Sequence, residues 1–155
     1  MSAPRAHPDG GSLVGDWRLR RWTSESDDGR TDLPLGEAPE GILVYTQGGT
    51  MITTIARSDR TPIASPDPLC GGSLPERAAT AETFIAYSGR FSYDGTDVTH
   101  TVEMSLYPNW VGTRQVRHVR LSADGDTLEL STDPFQLGGR RSVQRLTWVR
   151  ATSDR

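Results

Sequence analysis

Eight stretches of alternating apolar and polar residues run along this chain, and the turns between them constrain its fold more than any other feature. Alternation with a period of two is typical of antiparallel β-strands that bury one face. The predicted strands are 14–22, 41–46, 50–56, 88–93, 97–106, 113–121, 127–132 and 141–150. The chain is therefore predicted to be all-β and antiparallel.

The connections between the strands fall into two groups. Short turns at Gly48-Gly49, Asp94-Gly95 and 123–126 have the composition of β-hairpins. The longer connections are 23–41, 57–87, 107–112 and 133–140. Short and long connections alternate along the chain, so the short ones lie at one end of the strands and the long ones at the other. We predict an eight-stranded up-and-down barrel with a closed base and a loop-rich mouth. The interior of such a barrel is either filled by side chains or holds one small ligand.

One helix is predicted within the longest connection. Ser73 and Glu76 have the spacing of a capping box, which begins a helix. Apolar residues that include Phe84 and Tyr87 follow at roughly helical spacing before Gly89. We expect this helix at the mouth, between the third and fourth strands, with Phe84 and Tyr87 on a face that covers the opening.

The composition excludes several classes of function. The 155 residues include 17 basic ones, all arginine, so neither a Schiff base nor lysine-bound pyridoxal phosphate can form. A net charge of −3 without a basic block argues against a nucleic-acid partner. The three histidines fall in a tail or on opposite strand faces, which argues against a metal site. With no phosphate loop or dinucleotide fingerprint either, we expect no cofactor.

Residues 13–150 are expected to form one domain, with flexible polar segments at 1–12 and 151–155. Cys70 is the only cysteine, so no intramolecular disulfide can form. The sequence shows neither the apolar core of a signal peptide nor a run of transmembrane length. We therefore expect a cytoplasmic monomer or homodimer with no membrane partner.

Hairpin register predicts which side chains face the interior. Pairing the fourth and fifth strands across their turn puts Phe91 opposite His100. The inward face of these strands would be Phe91, Tyr93, Val98, His100, Val102, Met104 and Leu106. The inward face of the sixth and seventh would be Gln115, Arg117, Val119, Leu121, Leu128, Leu130 and Thr132. His100 is expected toward the base and Arg117 toward the mouth, about 10 Å apart at about 3.3 Å per residue.

Two face assignments concern the first three strands. On the first strand, Trp22 is predicted to point outward. The second and third strands leave two choices open for the interior. One set is Ile42, Val44, Met51 and Ile55, and the other is Leu43, Tyr45 and Ile52.

Several stretches carry a family resemblance. They are LVGDWRL (13–19), LPLGEAPEGILVYTQGG (33–49), VTHTVEMSLYPNWVGTRQVR (98–117), LELST (128–132) and RLTWVR (145–150). Together they resemble the small bacterial lipocalin-like domain family of calycin barrels. The resemblance implies that Trp17, in a Gly-x-Trp motif, closes the base under an arginine of the last strand, here Arg150. Because the broader superfamily includes both carriers and enzymes, the activity stays open.

The polar residues predicted inside the barrel each have two interpretations. Arg117 is either in a structural ion pair, for example with Glu103, or a donor that holds a ligand oxygen together with Gln115. His100 is either a hydrogen-bonded core histidine or an acid/base tuned by burial. Tyr107 lies in a mouth loop and is a second candidate for proton transfer. The candidate ligand-binding residues are Gln115, Trp110, Asn109, Phe91, Met104, Phe84, Tyr87, Val119 and Trp148.

Three functions are compatible with these residues. The first is a cofactor-independent biosynthetic enzyme of the cyclase, isomerase or hydratase type that acts on a small, largely apolar metabolite. Arg117 and Gln115 would hold an oxygen or carboxylate, and His100 or Tyr107 would move a proton. The second is a non-catalytic carrier of a hydrophobic small molecule. The third is a filled barrel that acts through its surface, with Trp22 as a contact. Inward titratable and donor groups favour the first.

Overall fold

A computed structural model describes residues 13–151, which form a closed antiparallel barrel. The strands are β1 (Gly15–Ser26), β2 (Thr31–Asp32), β3 (Glu40–Tyr45), β4 (Thr50–Ala56), β5 (Phe84–Tyr93), β6 (Asp97–Ser105), β7 (Arg114–Leu121), β8 (Thr127–Ser131), β9 (Phe135–Leu137) and β10 (Arg140–Arg150). Eight of them follow one another around the barrel in the order β1-β3-β4-β5-β6-β7-β8-β10, and β10 pairs with β1. The predicted eight-stranded up-and-down barrel is thus confirmed.

The remaining elements lie at the mouth. The two short strands β2 and β9, which the sequence pattern did not predict, pair with the mouth ends of β1 and β10. A single 3-10 turn, Pro108–Trp110, lies in the connection between β6 and β7. Within the described part of the chain, no helix is long and apolar enough to cross a membrane. The segments predicted to be flexible, 1–12 and all but the first residue of 151–155, lie outside the described residues.

Helix α1 (Leu74–Glu82) begins where its capping box predicts. The Ser73 hydroxyl accepts a hydrogen bond from the Glu76 backbone, and the Glu76 carboxylate accepts one from the Ser73 backbone. The helix ends at Glu82, so the prediction that Phe84 and Tyr87 belong to it is wrong. Both lie on β5, which pairs continuously with β4 from Phe84 onward. The β4 edge offers this segment a full ladder of backbone partners, and tertiary pairing overrides its local helical spacing.

The barrel base is closed as the family resemblance implies. Trp17 is fully buried, and its indole nitrogen donates a 3.0 Å hydrogen bond to the Leu13 carbonyl. Arg150 is the cross-strand partner of Trp17, and its guanidinium carbon lies 4.2 Å from the ring centroid. The same guanidinium donates to the carbonyls of Val14 and Gly125. One cation–π contact thus joins the first strand, the last strand and a base turn.

A β-bulge in β1 corrects one face assignment. The register with β10 shifts between Leu19 and Arg21, which places one extra residue in β1. Alternation is inverted beyond that point, as expected where two residues oppose one. Trp22 therefore lines the interior, and the prediction that it points outward is wrong.

A second bulge changes the face of β6. The register between β5 and β6 shifts between Ser88 and Gly89, so that Gly89 pairs with Val102 and Ser88 with Met104. Val102 is buried, whereas Met104 is 70% exposed. The prediction that Met104 and Leu106 face the interior is wrong, because simple alternation cannot account for the extra residue.

The choice left open for β3 and β4 is resolved by burial. Leu43 and Tyr45 of β3 are buried, and Ile42 and Ile52 are 43% and 48% exposed. The buried residues of β4 that share the inner face are Met51, Thr53 and Ile55. Tyr45 therefore reaches the interior, where its hydroxyl needs a partner.

We predict that Gly89→Ala destabilises the fold. A Cβ at residue 89 would overlap the Thr101 carbonyl oxygen and come within 3.0 Å of the Glu103 nitrogen, both of which are backbone atoms of the bulge. Relieving this overlap would cost at least about 2 kcal/mol of the free energy of unfolding. Urea denaturation measures the loss. Gly48→Ala is the matched control, because its added Cβ has no neighbour closer than 3.9 Å, and an equal loss in both variants would contradict the explanation.

Candidate ligand-binding site inside the barrel

The barrel encloses a cavity of about 730 Å³ that opens at the mouth. Apolar side chains from strands all around the barrel form much of its wall, namely Trp22, Leu43, Ile55, Ile85, Leu130, Leu146 and Trp148. The mouth is bordered by the end of α1, the 3-10 turn and β9, through Glu82, Trp110 and Phe135. A volume of this size lies within the usual range for small-molecule pockets.

The structure brings six of the predicted site residues to this cavity. They are Tyr87, His100, Trp110, Gln115, Arg117 and Trp148. The other six lie outside its lining. Phe91 and Val119 pack in or against the core beneath it, and Met104, Tyr107 and Asn109 are exposed. Phe84 lies on the outer face of β5, under the guanidinium of Arg60.

Tyr107 therefore does not occupy the position that proton transfer inside the barrel would require. Its side chain is 55% exposed. Its ring makes an edge contact with Trp110, at 5.8 Å between centroids, and Trp110 in turn makes one with Tyr87 at 5.6 Å. The 3-10 turn directs Trp110 rather than Tyr107 toward the cavity.

His100 lies between two tyrosines. The Tyr45 hydroxyl is 2.7 Å from Nε2 of His100, and the Tyr87 hydroxyl is 2.9 Å from Nδ1. Tyr45 and His100 are each 1% exposed, and Tyr87 faces the cavity. Strands β3, β5 and β6 contribute one residue each to this Tyr45–His100–Tyr87 chain. In the sheet, β5 and β6 are neighbours, and β4 lies between β3 and β5.

The Tyr45–His100–Tyr87 chain of side chains is uncharged near neutral pH. Burial, and secondarily the charge of Arg117, lowers the pKa of His100 to about 3. Burial raises the pKa of both tyrosines. A neutral imidazole has one donor and one acceptor nitrogen, which matches one hydroxyl on each side. His100 is therefore a hydrogen-bonded core histidine at neutral pH.

The relative positions of His100 and Arg117 differ from the prediction. On the β6–β7 ladder, His100 pairs with Gln115 and Arg117 pairs with Val98. Arg117 therefore lies one inward-facing position closer than His100 to the turn at 94–96, which is at the base. The predicted order along the barrel is therefore wrong. The reason is that the bulge and the 3-10 turn lengthen the connection between β6 and β7, which shifts the register. Diagonal neighbours of this kind have Cα atoms roughly 7–8 Å apart.

Arg117 and Gln115 are hydrogen-bonded to each other. Arg117 donates to the Gln115 side-chain oxygen at 3.2 Å and to the Val116 carbonyl at 2.9 Å. The Gln115 amide donates to the Thr113 hydroxyl at 3.1 Å. Within residues 13–151 no carboxylate lies at ion-pair distance from Arg117, and Glu103 is exposed. The structural ion pair with Glu103 is thus not formed.

The structure also identifies polar residues that the sequence did not single out. Tyr45 could have been found only if the inner face of β3 were known. Gln144 accepts a hydrogen bond from the Trp22 indole and donates to the hydroxyls of Ser24 and Ser142. Trp22 escapes sequence analysis because the bulge in β1 hides the inward face of that strand, whereas Gln144 alternates with Leu146 and Trp148 on β10 and could have been found by its spacing.

Trp148 has a polar atom without a partner. Its side chain is 2% exposed, and its indole Nε1 is the buried side-chain polar atom for which the described residues provide no hydrogen bond. A buried donor without a partner is costly. Trp148 lines the cavity, but less than 1 Å² of its Nε1 atom is accessible, so a molecule in the cavity does not reach this donor.

A closed eight-stranded barrel with an apolar cavity and a Trp–Arg base defines a ligand-binding barrel of the calycin class. Residues 14–151 match the family model described as a lipocalin-like domain. The 4'-hydroxy-3'-methoxypropiophenone carrier protein ppsC of Aspergillus oryzae is 42% identical over 86 residues, which cover 50% of this chain and 76% of the carrier. The chain belongs to the lipocalin-like domain family.

Solved structures with a similar fold come from two Bacteroides species. A lipocalin-like protein from Bacteroides uniformis has a TM-score of 0.48 and 14% identity, with 91% of this chain and 100% of the other covered. An uncharacterized protein from Bacteroides eggerthii has a TM-score of 0.44 and 12% identity, with 90% and 99% covered.

We predict that His100 stays neutral from pH 8 to about 4.5. Its pKa in the folded state, about 3, lies below the ordinary value of 6.5, so the unfolded chain binds the proton more readily. The contribution of His100 to the free energy of unfolding is therefore fully present above pH 6.5. It falls by about 2 kcal/mol as the pH is lowered from 6.5 to 4.5. Ring ¹⁵N shifts measured by NMR, together with denaturation at each pH, test both statements.

His118 provides an internal control for that titration. It is about half exposed, and its ring nitrogens hydrogen-bond to the carboxylates of Asp133 and Asp97, which raises its pKa. It should titrate above 6.5, and its contribution to stability is constant below that pH. A His100 ring that titrates near pH 6.5 would show that it is not held neutral between the tyrosines.

Proposed function

We propose that this protein binds a small, largely apolar molecule inside the barrel and carries it without chemical change. The observation that carries the proposal is the cavity of about 730 Å³, whose wall is mainly apolar and whose buried polar chain is uncharged. The relative from Aspergillus oryzae is named as a carrier of an aryl ketone, which supports the same kind of cargo.

Several observations favour a carrier over a cofactor-independent enzyme. A general acid/base works best with a pKa near the operating pH, whereas the pKa of His100 is lowered to about 3. Tyr107, the other residue considered for proton transfer, lies outside the cavity. Arg117 and Gln115 could hold a ligand oxygen, but holding an oxygen is binding and requires no reaction.

The cavity also favours a ligand over a filled barrel. The surface-acting alternative requires large side chains to occlude the interior, and it uses Trp22 as an outer contact. Trp22 instead lines the cavity, and its indole is hydrogen-bonded to Gln144. An apolar molecule in this space would gain roughly 25 cal/mol for each Å² of apolar surface removed from water.

We predict that Ile85→Trp abolishes binding of a fluorescent apolar dye. Ile85 lines the cavity near the mouth, and a larger ring there would occupy the space the dye needs. The dissociation constant, measured by fluorescence titration, should increase at least about tenfold. Ile52→Trp is the matched control, because Ile52 lies on the outer face of the neighbouring strand β4 and is 48% exposed.

Equal affinity of both variants would contradict binding inside the barrel. The carrier assignment is tested separately by mass spectrometry of molecules released after incubation with a lysate. A compound recovered unchanged after saturable binding supports a carrier. Its conversion to a new mass by the wild-type protein, but not by Arg117→Gln, would favour the enzyme.

A further inference from the structure

We infer that the cavity selects ligands that present a hydrogen-bond acceptor oxygen, as ketones and ethers do, and that the Tyr87 hydroxyl is the group that donates to it. This inference rests on the proposed function, because it names the ligand class for the same cavity. The ligand class follows from which group donates and which accepts in each hydrogen bond of the buried wall.

The first step concerns the proton positions in the Tyr45–His100–Tyr87 chain. If Nδ1 of His100 carries the proton, the Tyr45 hydroxyl donates to Nε2, and Nδ1 donates to the Tyr87 oxygen. If Nε2 carries it, the Tyr45 oxygen accepts, and the Tyr45 proton needs another acceptor. Among the described residues, the Tyr45 hydroxyl is hydrogen-bonded to His100 alone, and Tyr45 is 1% exposed.

The second arrangement therefore leaves a buried donor without a partner, which costs free energy. The first leaves only the Tyr87 proton unpaired, and Tyr87 faces the cavity. Burial of Tyr45 thus fixes the His100 tautomer, and the tautomer makes Tyr87 a donor. A ligand at Tyr87 has to supply an acceptor.

The second step concerns the opposite wall. Tyr87 lies on β5 and Trp148 on β10, which are four strands apart in the ring of eight. The Trp148 indole is a donor with no partner among the described residues, and it is 2% exposed. By contrast, the indoles of Trp17 and Trp22 donate to Leu13 and Gln144. Less than 1 Å² of the Trp148 Nε1 atom is accessible, so a ligand in the cavity meets the Tyr87 hydroxyl and not this indole N–H.

The third step concerns the remaining polar groups of the wall. The Gln115 oxygen already accepts from Arg117, and the Gln144 oxygen already accepts from Trp22. The Thr53 hydroxyl donates to a backbone carbonyl, and the Thr132 hydroxyl accepts from a backbone N–H. The carboxylates that line the cavity are Glu82 and Asp133, at the mouth.

The Thr53 oxygen stays free to accept, and Arg117 keeps N–H donors beyond those it gives to Gln115 and Val116. The unpaired group at Tyr87 is a donor. An apolar molecule with an acceptor oxygen at that position satisfies it, and a hydrocarbon group there leaves it unpaired. Sites built to hydrogen-bond a ligand group discriminate strongly against analogues that lack it.

The test compares two molecules that differ in one oxygen. The probe is 4'-hydroxy-3'-methoxypropiophenone, and its analogue replaces the carbonyl with a methylene group. Isothermal titration measures both with the wild type, with Tyr87→Phe and with Tyr107→Phe. Tyr107→Phe is the control, because it removes a hydroxyl from an exposed tyrosine outside the cavity. Tyr87→Phe should weaken the probe roughly three- to tenfold, and Tyr107→Phe should leave it unchanged.

The methylene analogue separates a hydrogen bond to the carbonyl from a general effect of the substitution. It should bind the wild type more weakly than the probe does, and Tyr87→Phe should weaken it no further.

The outcomes separate this inference from the proposed function. Saturable binding in which Tyr87→Phe weakens the probe no more than Tyr107→Phe does overturns the inference and leaves the carrier intact. A protein that binds the apolar dye but neither probe overturns the ligand class. A protein that binds neither dye nor probe overturns the proposed function as well.

Discussion

Closure of the barrel depends on one contact between its two ends. Trp17 begins the first strand and Arg150 ends the last, and the guanidinium lies over the indole while it binds carbonyls on both sides. β1 and β10 pair at nine positions, and this contact holds the pair at the base end, where the meander closes into a ring. The cavity exists because the sheet is closed and its base is filled.

Above this base, the apolar interior imposes a condition on every polar group in it. His100 is stable there because it is neutral and has a hydroxyl on each side. The same environment leaves Trp148 with an unpaired donor and Arg117 without a carboxylate among the described residues. Such a wall is consistent with the proposed carrier role, because an apolar molecule fills the space and an oxygen on it can accept from Tyr87 or Arg117.

The sequence predicts the parts of this architecture that are local. Turn chemistry identifies the hairpins, the capping box locates α1, and alternation places His100, Gln115 and Arg117 inside. What it misses has a common cause. One extra residue in β1 and one in β6 invert the faces of Trp22 and Met104, and pairing with β4 extends β5 into the predicted helix. Bulges and strand pairing depend on contacts between segments that are distant in the sequence. The alternation of residues within one strand gives no information about those contacts.

The bulge in β1 lets one strand serve the two ends of the barrel differently. Below it, Trp17 and Leu19 pack the base, and above it the inverted alternation turns Trp22 into the cavity. Gain or loss of a single residue at this bulge would therefore replace Trp22 in the lining and leave the base unchanged. The shape of the ligand space could thus change by one short insertion or deletion rather than by several substitutions.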